Sequence, residues 1–152
     1  MEATVTFRLM NLEDIDEVLV IEHASFATPW SREAFYNEIM NNHFAQYIVM
    51  VENEKVIGYC GMWLVMDEAH VTNIAVLPEY RGRKLGELLL IKVKETAKEL
   101  GAIRMTLEVR VSNVIAQSLY IKHRFTKGGI RKNYYTDNQE DAIVMWVNLY
   151  EN

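Results

Sequence analysis

The sequence predicts an α/β domain built on a mixed, mostly antiparallel seven-stranded sheet flanked by four helices. Two observations carry this. Residues 45–76 hold three consecutive segments of strand character joined by short polar connections, the pattern of an antiparallel meander. A long amphipathic helix at 85–100 then separates the meander from another alternating segment at 103–109. A strand–helix–strand crossover of that kind pairs its two strands in parallel.

Element by element, Val5, Phe7 and Leu9 alternate with polar residues and read as a first strand. Asn11 is placed to cap a helix whose apolar positions Leu12, Ile15, Val18, Leu19 and Ile21 fall at helical spacing. After a turn around Pro29, Ser31 with Glu33 and Ala34 opens a second helix, to about Met40. Tyr47, Val49 and Val51 mark the second strand, residues 56–66 the third and residues 70–76 the fourth. The long helix carries a predicted buried stripe of Leu85, Leu88, Leu89, Val93, Ala97 and Leu100, and Gly101 stops it. Ile103, Met105, Leu107 and Val109 make the fifth strand, residues 113–122 a short helix, and residues 125–134 and 142–149 the last two strands. The order β-α-α-β-β-β-α-β-α-β-β fits one domain across residues 1–152.

Composition narrows the function classes. Half of the residues are hydrophobic, enough for a core, and the net charge of -5 speaks against a nucleic-acid binder with a basic face. The same charge suits a cationic amine or a basic peptide as partner. The lone Cys60 excludes a disulfide framework within the chain and reads as a small core residue. Residues 1–10 lack the character of a secretory signal, and no apolar run approaches the ~20 residues of a membrane span. The expectation is a cytoplasmic protein with no membrane partner, and with no CxxC or HExxH spacing it carries no metal. The four histidines, His23, His43, His70 and His123, form no recognisable triad with a carboxylate and read as structural or surface residues.

The junction from the fourth strand into the long helix holds the first functional signal. Residues 81–86 are Arg81, Gly82, Arg83, Lys84, Leu85 and Gly86. Free backbone N–H groups at a helix start bind anions, and the helix dipole adds to them. Two glycines let a ligand approach the backbone, and three cations stand where the dipole disfavours them unless an anion is bound. A solvated basic turn remains an equal reading of these residues alone.

The turn resembles the acetyl-coenzyme A signature of GNAT acetyltransferases, (Gln/Arg)-x-x-Gly-x-(Gly/Ala), with Arg81 first, Gly86 last and Lys84 where the middle glycine is usual. The resemblance implies that the strand before the turn splays from the strand after the helix. The backbone of Ile74, Ala75 and Val76 would then pair with the pantetheine arm of acetyl-CoA. Further along, Leu107-Glu108-Val109-Arg110-x-Ser112-Asn113 followed by Ala116-x-x-Leu119-Tyr120-x-x-x-x-Phe125 resembles the RimI family of ribosomal-protein alanine N-acetyltransferases. By periodicity alone Glu108 is a strand carboxylate opposite Met105 and Leu107, and Tyr120 a core aromatic. By resemblance Glu108 is the general base, through water, Tyr120 the acid that protonates the coenzyme sulfur, and Asn113 a cofactor contact as well as an N-cap. The segments 25–31 and 131–142 match the same family, so the likeness spans nearly the whole chain.

These two segments enclose the acceptor in peptide-accepting relatives. Phe26, Pro29 and Trp30 are therefore candidates for an apolar wall, and Tyr134 and Tyr135 for contacts to peptide backbone. Two adjacent tyrosines in a strand would point to opposite faces, leaving one of them on the substrate. The implied reaction is direct acetyl transfer from acetyl-CoA to a protein N-terminal amine, with the N-terminal alanine of a small-subunit ribosomal protein as acceptor. A lysine side chain, a small amine, or a non-catalytic acyl-CoA-binding role are the alternatives.

Overall fold

The computed structural model describes residues 4–150. One seven-stranded sheet runs in the order β1-β2-β3-β4-β5-β7-β6. Its strands are β1 (Thr6–Leu9), β2 (Ala45–Glu52), β3 (Lys55–Val65), β4 (Glu68–Val76), β5 (Arg104–Arg110), β6 (Thr126–Arg131) and β7 (Ala142–Asn148). Four helices accompany it: α1 (Ile15–Ser25), α2 (Arg32–Asn41), α3 (Leu85–Glu99) and α4 (Val114–Lys122). Every neighbouring pair is antiparallel except β4 and β5, which α3 connects in parallel, as the crossover pattern predicts. Among the described residues no helix is long and apolar enough to cross a membrane.

Local chemistry sets the elements. Asn11 and Asp14 form a reciprocal capping box at the 3-10 turn that leads into α1. Asp14 is buried, and Arg8 on β1 holds both of its oxygens, at 2.6 and 2.8 Å. Ser31 Oγ accepts the Ala34 N–H at 3.1 Å and starts α2. Asn53 and Glu54 both have positive φ, the geometry of the tight hairpin turn between β2 and β3.

Residues 56–62 of β3 are all buried, and successive side chains of a strand point to opposite faces, so both faces of the sheet are covered there. α1 and α3 both pack on β3 and β4, and α2 packs on β2. Phe35 of α2 is fully buried, its ring edge-on to Tyr47 at 6.2 Å and to Tyr59 at 5.9 Å.

Several sequence expectations shift. Leu9 is 61% exposed, because β1 is a sheet edge and the chain turns its next residue, Met10, into the core instead. On α3 the buried stripe is Leu85, Leu89, Leu90, Val93 and Ala97. Leu88 and Leu100 face outward, at 37% and 50% exposure. In a stretch where leucines occupy 88, 89 and 90, spacing alone cannot choose the inward pair. β6 ends at Arg131, so Tyr134 and Tyr135 lie beyond the strand, and the opposite-faces argument does not apply to them.

The α3 correction yields a paired test. Leu90→Ala should cost about 2–5 kcal/mol of unfolding free energy, and Leu88→Ala about 0.5 kcal/mol or less. Chemical denaturation of the two variants measures both, and equal losses would contradict the placement.

Candidate active site

The site begins where β4 and β5 part. Their parallel pairing covers only Glu68, Ala69 and His70 against Arg104, Met105 and Thr106. Beyond it β4 runs on to Val76 and β5 to Arg110, unpaired with each other. A bulge bends β4 at this point: Val71 pairs with Met62 and Asn73 with Gly61, leaving Thr72 as the extra residue. Gly61 is required opposite it, since a Cβ there would stand 2.4 Å from the Tyr47 ring and 2.8 Å from Asn73 Oδ1.

A cleft of about 600 Å³ opens between the parted strands. Ile74 lines it from β4, Glu108 from β5, and Asn113 and Tyr120 from α4 and its cap. Phe26 and Trp30 line it from the α1–α2 loop, and Tyr134 and Tyr135 from the β6–β7 loop. Ala75, Val76 and Pro29 are not on its wall. Both tyrosines reach the cleft, their rings perpendicular at 5.1 Å, because the loop frees them from strand alternation.

Beside the cleft, Gly82 has φ 84° and Lys84 φ 60° with ψ 23°, the left-handed conformation that glycine adopts most easily. Lys84 thus takes the backbone geometry for which a glycine would be the easier residue. It caps α3 without a side-chain hydrogen bond, and Leu88 N–H is the first to bond back, to Lys84 O at 3.2 Å. Among the described residues the amides of Leu85, Gly86 and Glu87 have no protein acceptor, as at any helix start without a side-chain cap. Among the described residues outside its own helix turn, nothing lies within 4 Å of where a Cβ on Gly86 would stand, so packing does not demand glycine there. Arg83 is engaged elsewhere: its guanidinium grips Glu52 at 2.7 and 3.1 Å. Arg81 reaches Ser25 Oγ at 3.5 Å, joining the turn to the end of α1.

Only 9% of the Glu108 side chain is exposed, so it is an enclosed carboxylate rather than an open strand one. His70 Nε2 lies 2.9 and 3.0 Å from its two oxygens, Tyr134 donates at 3.4 Å, and Arg131 Nε is 3.8 Å away. Burial works to raise the carboxyl, but His70, Arg131 and Tyr134 outweigh it and hold it below its usual value. The His70 contact corrects the reading of all four histidines as bystanders. Periodicity could not find it, since it depends on the parallel register that sets His70 opposite Thr106.

Tyr120 packs its ring against Phe125 at 5.5 Å, so the aromatic-core reading holds for the ring. Its hydroxyl has no hydrogen-bond partner among the described residues, and burial pushes it well above the ordinary tyrosine value. Asn113 Oδ1 accepts the Ala116 N–H at 3.1 Å, the N-cap of α4.

Sequence reasoning also missed two organising residues. Arg110 gathers the β6–β7 loop, bonding Asp137 at 2.8 Å and Glu140 at 3.1 Å, with its guanidinium 3.9 Å from the centre of the Tyr135 ring. Buried Glu22 accepts the Trp30 N–H at 2.8 Å and the Tyr59 hydroxyl, fixing the α1–α2 loop. The charged residues before Phe26 and after Arg131 were the only available signal. Among the described residues no group of three His, Cys, Asp or Glu could hold a metal ion.

Residues 13–125 match the Acetyltransferase (GNAT) family. A Bacillus subtilis protein provisionally named a ribosomal protein bS18-alanine N-acetyltransferase is 52% identical over 151 residues, 99% of this chain and 100% of that protein. The ribosomal protein bS18-alanine N-acetyltransferase of Haemophilus influenzae is 39% identical over 137 residues, 87% of this chain and 90% of that one. The crystal structure of the ribosomal-protein-S18-alanine N-acetyltransferase from Escherichia coli superposes with a TM-score of 0.89 at 32% identity, covering 98% of this chain and 96% of that one.

Two outcomes test the geometry. Hydrogen bonds from Ser112, with Arg110 and Asn138 adding to them, hold the Glu140 carboxyl down at about 2. Its folded value lies below the usual 4.5, so its contribution to stability is full above that pH and fades as pH falls toward about 2. An NMR titration of Glu140 should find that midpoint, and one near 4.5 would contradict the loop arrangement. Lys84→Gly should raise stability by about 0.5–1 kcal/mol, the left-handed penalty of about 1–2 less the backbone entropy of glycine. Its thermal midpoint reports this, and a lowered midpoint would contradict it.

Proposed function

The chain belongs to the GNAT family of acetyl-CoA-dependent N-acetyltransferases, and from that membership we propose that its acceptor is the N-terminal amine of alanine on ribosomal protein bS18. The relatives that match over nearly the whole chain carry that name, which supports a ribosomal acceptor and, with it, a cytoplasmic enzyme. The observation that carries the reading is the single cleft in which Glu108 and Tyr120 stand between the two acceptor-side loops.

The residues present fit acetyl-CoA. The bare amides of Leu85, Gly86 and Glu87 at the dipole-positive end of α3 suit a diphosphate, and the space before Gly86 admits it. Gly82, Arg83 and Lys84 shape the turn, Arg83 through its backbone while its side chain holds Glu52. Arg81 adds positive charge on the rim. Paired with β3 but not with β5, the β4 backbone runs from Ile74 on the cleft wall through Ala75 and Val76, and its open edge suits the pantetheine amides; Asn113 lines the same cleft as Ile74. Bound there, acetyl-CoA supplies an acetyl group activated as a thioester.

Protein groups supply the remaining chemistry. A protein N-terminal amine titrates near about 8, so much of it is protonated at neutral pH and a base must act. Glu108, held ionised by His70, takes that proton through water, which suits a carboxylate of lowered basicity. Tyr120 keeps its proton on Oη and gives it to the departing thiolate; its lack of another partner leaves it free to donate. Phe26 and Trp30 on one side and Tyr134 and Tyr135 on the other hold the first residues of the peptide. Pro29, off the cleft wall, shapes the loop that carries Trp30.

The test compares peptides with a free N-terminal alanine, N-blocked peptides containing lysine, and polyamines, together with the bS18 N-terminus by mass spectrometry in cells lacking the protein. Acetylation confined to the free N-terminus is expected. Preference for lysine or polyamines would contradict the acceptor, and tight acetyl-CoA binding without turnover would contradict catalysis. Tyr120→Phe should lower kcat about a hundredfold while KM for acetyl-CoA stays within about twofold. Unchanged turnover would remove Tyr120 as the acid.

A further inference from the structure

His70 is not among the residues to which the family resemblance assigns a role, yet it makes the shortest contacts to Glu108. We propose that His70 is a positioning residue for acetyl transfer, fixing the Glu108 carboxylate through its Nε2–H. The inference rests on the reading of Glu108 as that base.

Geometry favours a built arrangement. His70 occupies the last paired position of β4 on β5, opposite Thr106, and is paired on its other side with Trp63 of β3. Its backbone is therefore held by ladders on both flanks. Glu108 lies two residues beyond Thr106, on the same face of β5. Both partners stand on central strands, where a site is held more rigidly than on loops. The other groups near Glu108, Tyr134 and Arg131, come from the loop and from the sheet's edge strand. The Trp63 ring, anchored by its Nε1–H to Glu38 at 2.6 Å, stands at a steep angle to the imidazole, 6.4 Å between centres. His70 keeps 36% of its side chain exposed against 9% for Glu108, so the imidazole bridges solvent and the enclosed carboxylate.

The chemistry follows from which nitrogen carries hydrogen. A nitrogen lone pair facing a carboxylate repels it, so Nε2 carries the hydrogen. That donor orients Glu108, which can accept the amine's proton. Arg131 from β6 and Tyr134 from the following loop also approach Glu108, and Trp63 from β3 faces the imidazole ring. His70 makes and breaks no bond of the acyl transfer itself.

Steady-state kinetics with an N-terminal alanine peptide test this on His70→Ala, His70→Gln and Glu108→Gln. His70→Ala should lower kcat about tenfold or more with KM for acetyl-CoA within about twofold. His70→Gln retains a side-chain N–H donor, so it should recover most of kcat. Because His70 acts through Glu108, the double variant His70→Ala, Glu108→Gln should be no slower than Glu108→Gln alone, within about twofold. Unchanged kcat in His70→Ala, with Glu108→Gln slow, would overturn this inference and leave the base reading intact. A silent Glu108→Gln would overturn both. Should His70→Ala fail to fold, His70→Phe, which keeps a ring and removes the donor, decides, and an unchanged kcat there rejects the proposal.

Discussion

The structure turns on a parallel pairing that stops after three residues. β4 and β5 are adjacent in the middle of the sheet, where continued pairing would satisfy every backbone group between them. The bulge at Thr72, accommodated opposite by Gly61, bends β4 out of register with β3 and away from β5. Backbone donors and acceptors that a sheet would consume internally are left lining a cleft. The same connection, α3, brings its uncapped N-terminus to the end of that strand. Strand divergence and bare helix amides are thus products of one crossover, and together they suit an extended ligand with an anionic end.

Around that opening, charged side chains do the positioning. Arg110 at the end of β5 holds Asp137, Glu140 and the Tyr135 ring, and Glu140 in turn bonds the Ser112 N–H that precedes α4. One cation therefore ties the loop bearing the tyrosines to the helix bearing Tyr120. Glu22 does the equivalent for the other loop, from the last turns of α1 to the Trp30 N–H. Glu108 and Tyr120 are pushed in opposite directions by their surroundings, one held ionised and the other held protonated. That division suits a base and an acid in one cleft.

Much of this was legible from residue order. Alternation of Met105, Leu107 and Val109 placed Glu108 on the opposite face of β5, and the structure keeps that placement. The caps at Asn11, Ser31 and Asn113 and the parallel crossover were also readable. What remained hidden depends on neighbours distant in sequence. The His70–Glu108 contact follows from strand register, the exposure of Leu9 from its position on an edge, and the grip of Arg110 from a loop 27–30 residues away. Tyr134 and Tyr135 were misread because two strand-favouring aromatic residues follow shortly after the point where β6 ends. Local pattern reports faces and termini; it does not report which strand lies alongside.

If the parted strands and the bare amides of α3 form one ligand site, a single bound coenzyme A must touch both. Titrating the 15N-labelled protein with coenzyme A and following its backbone amides tests this most directly. Shifts concentrated in residues 72–76, 82–87 and 107–110 are the predicted result. Saturable binding that leaves those amides unmoved, with shifts elsewhere on the sheet, would contradict it.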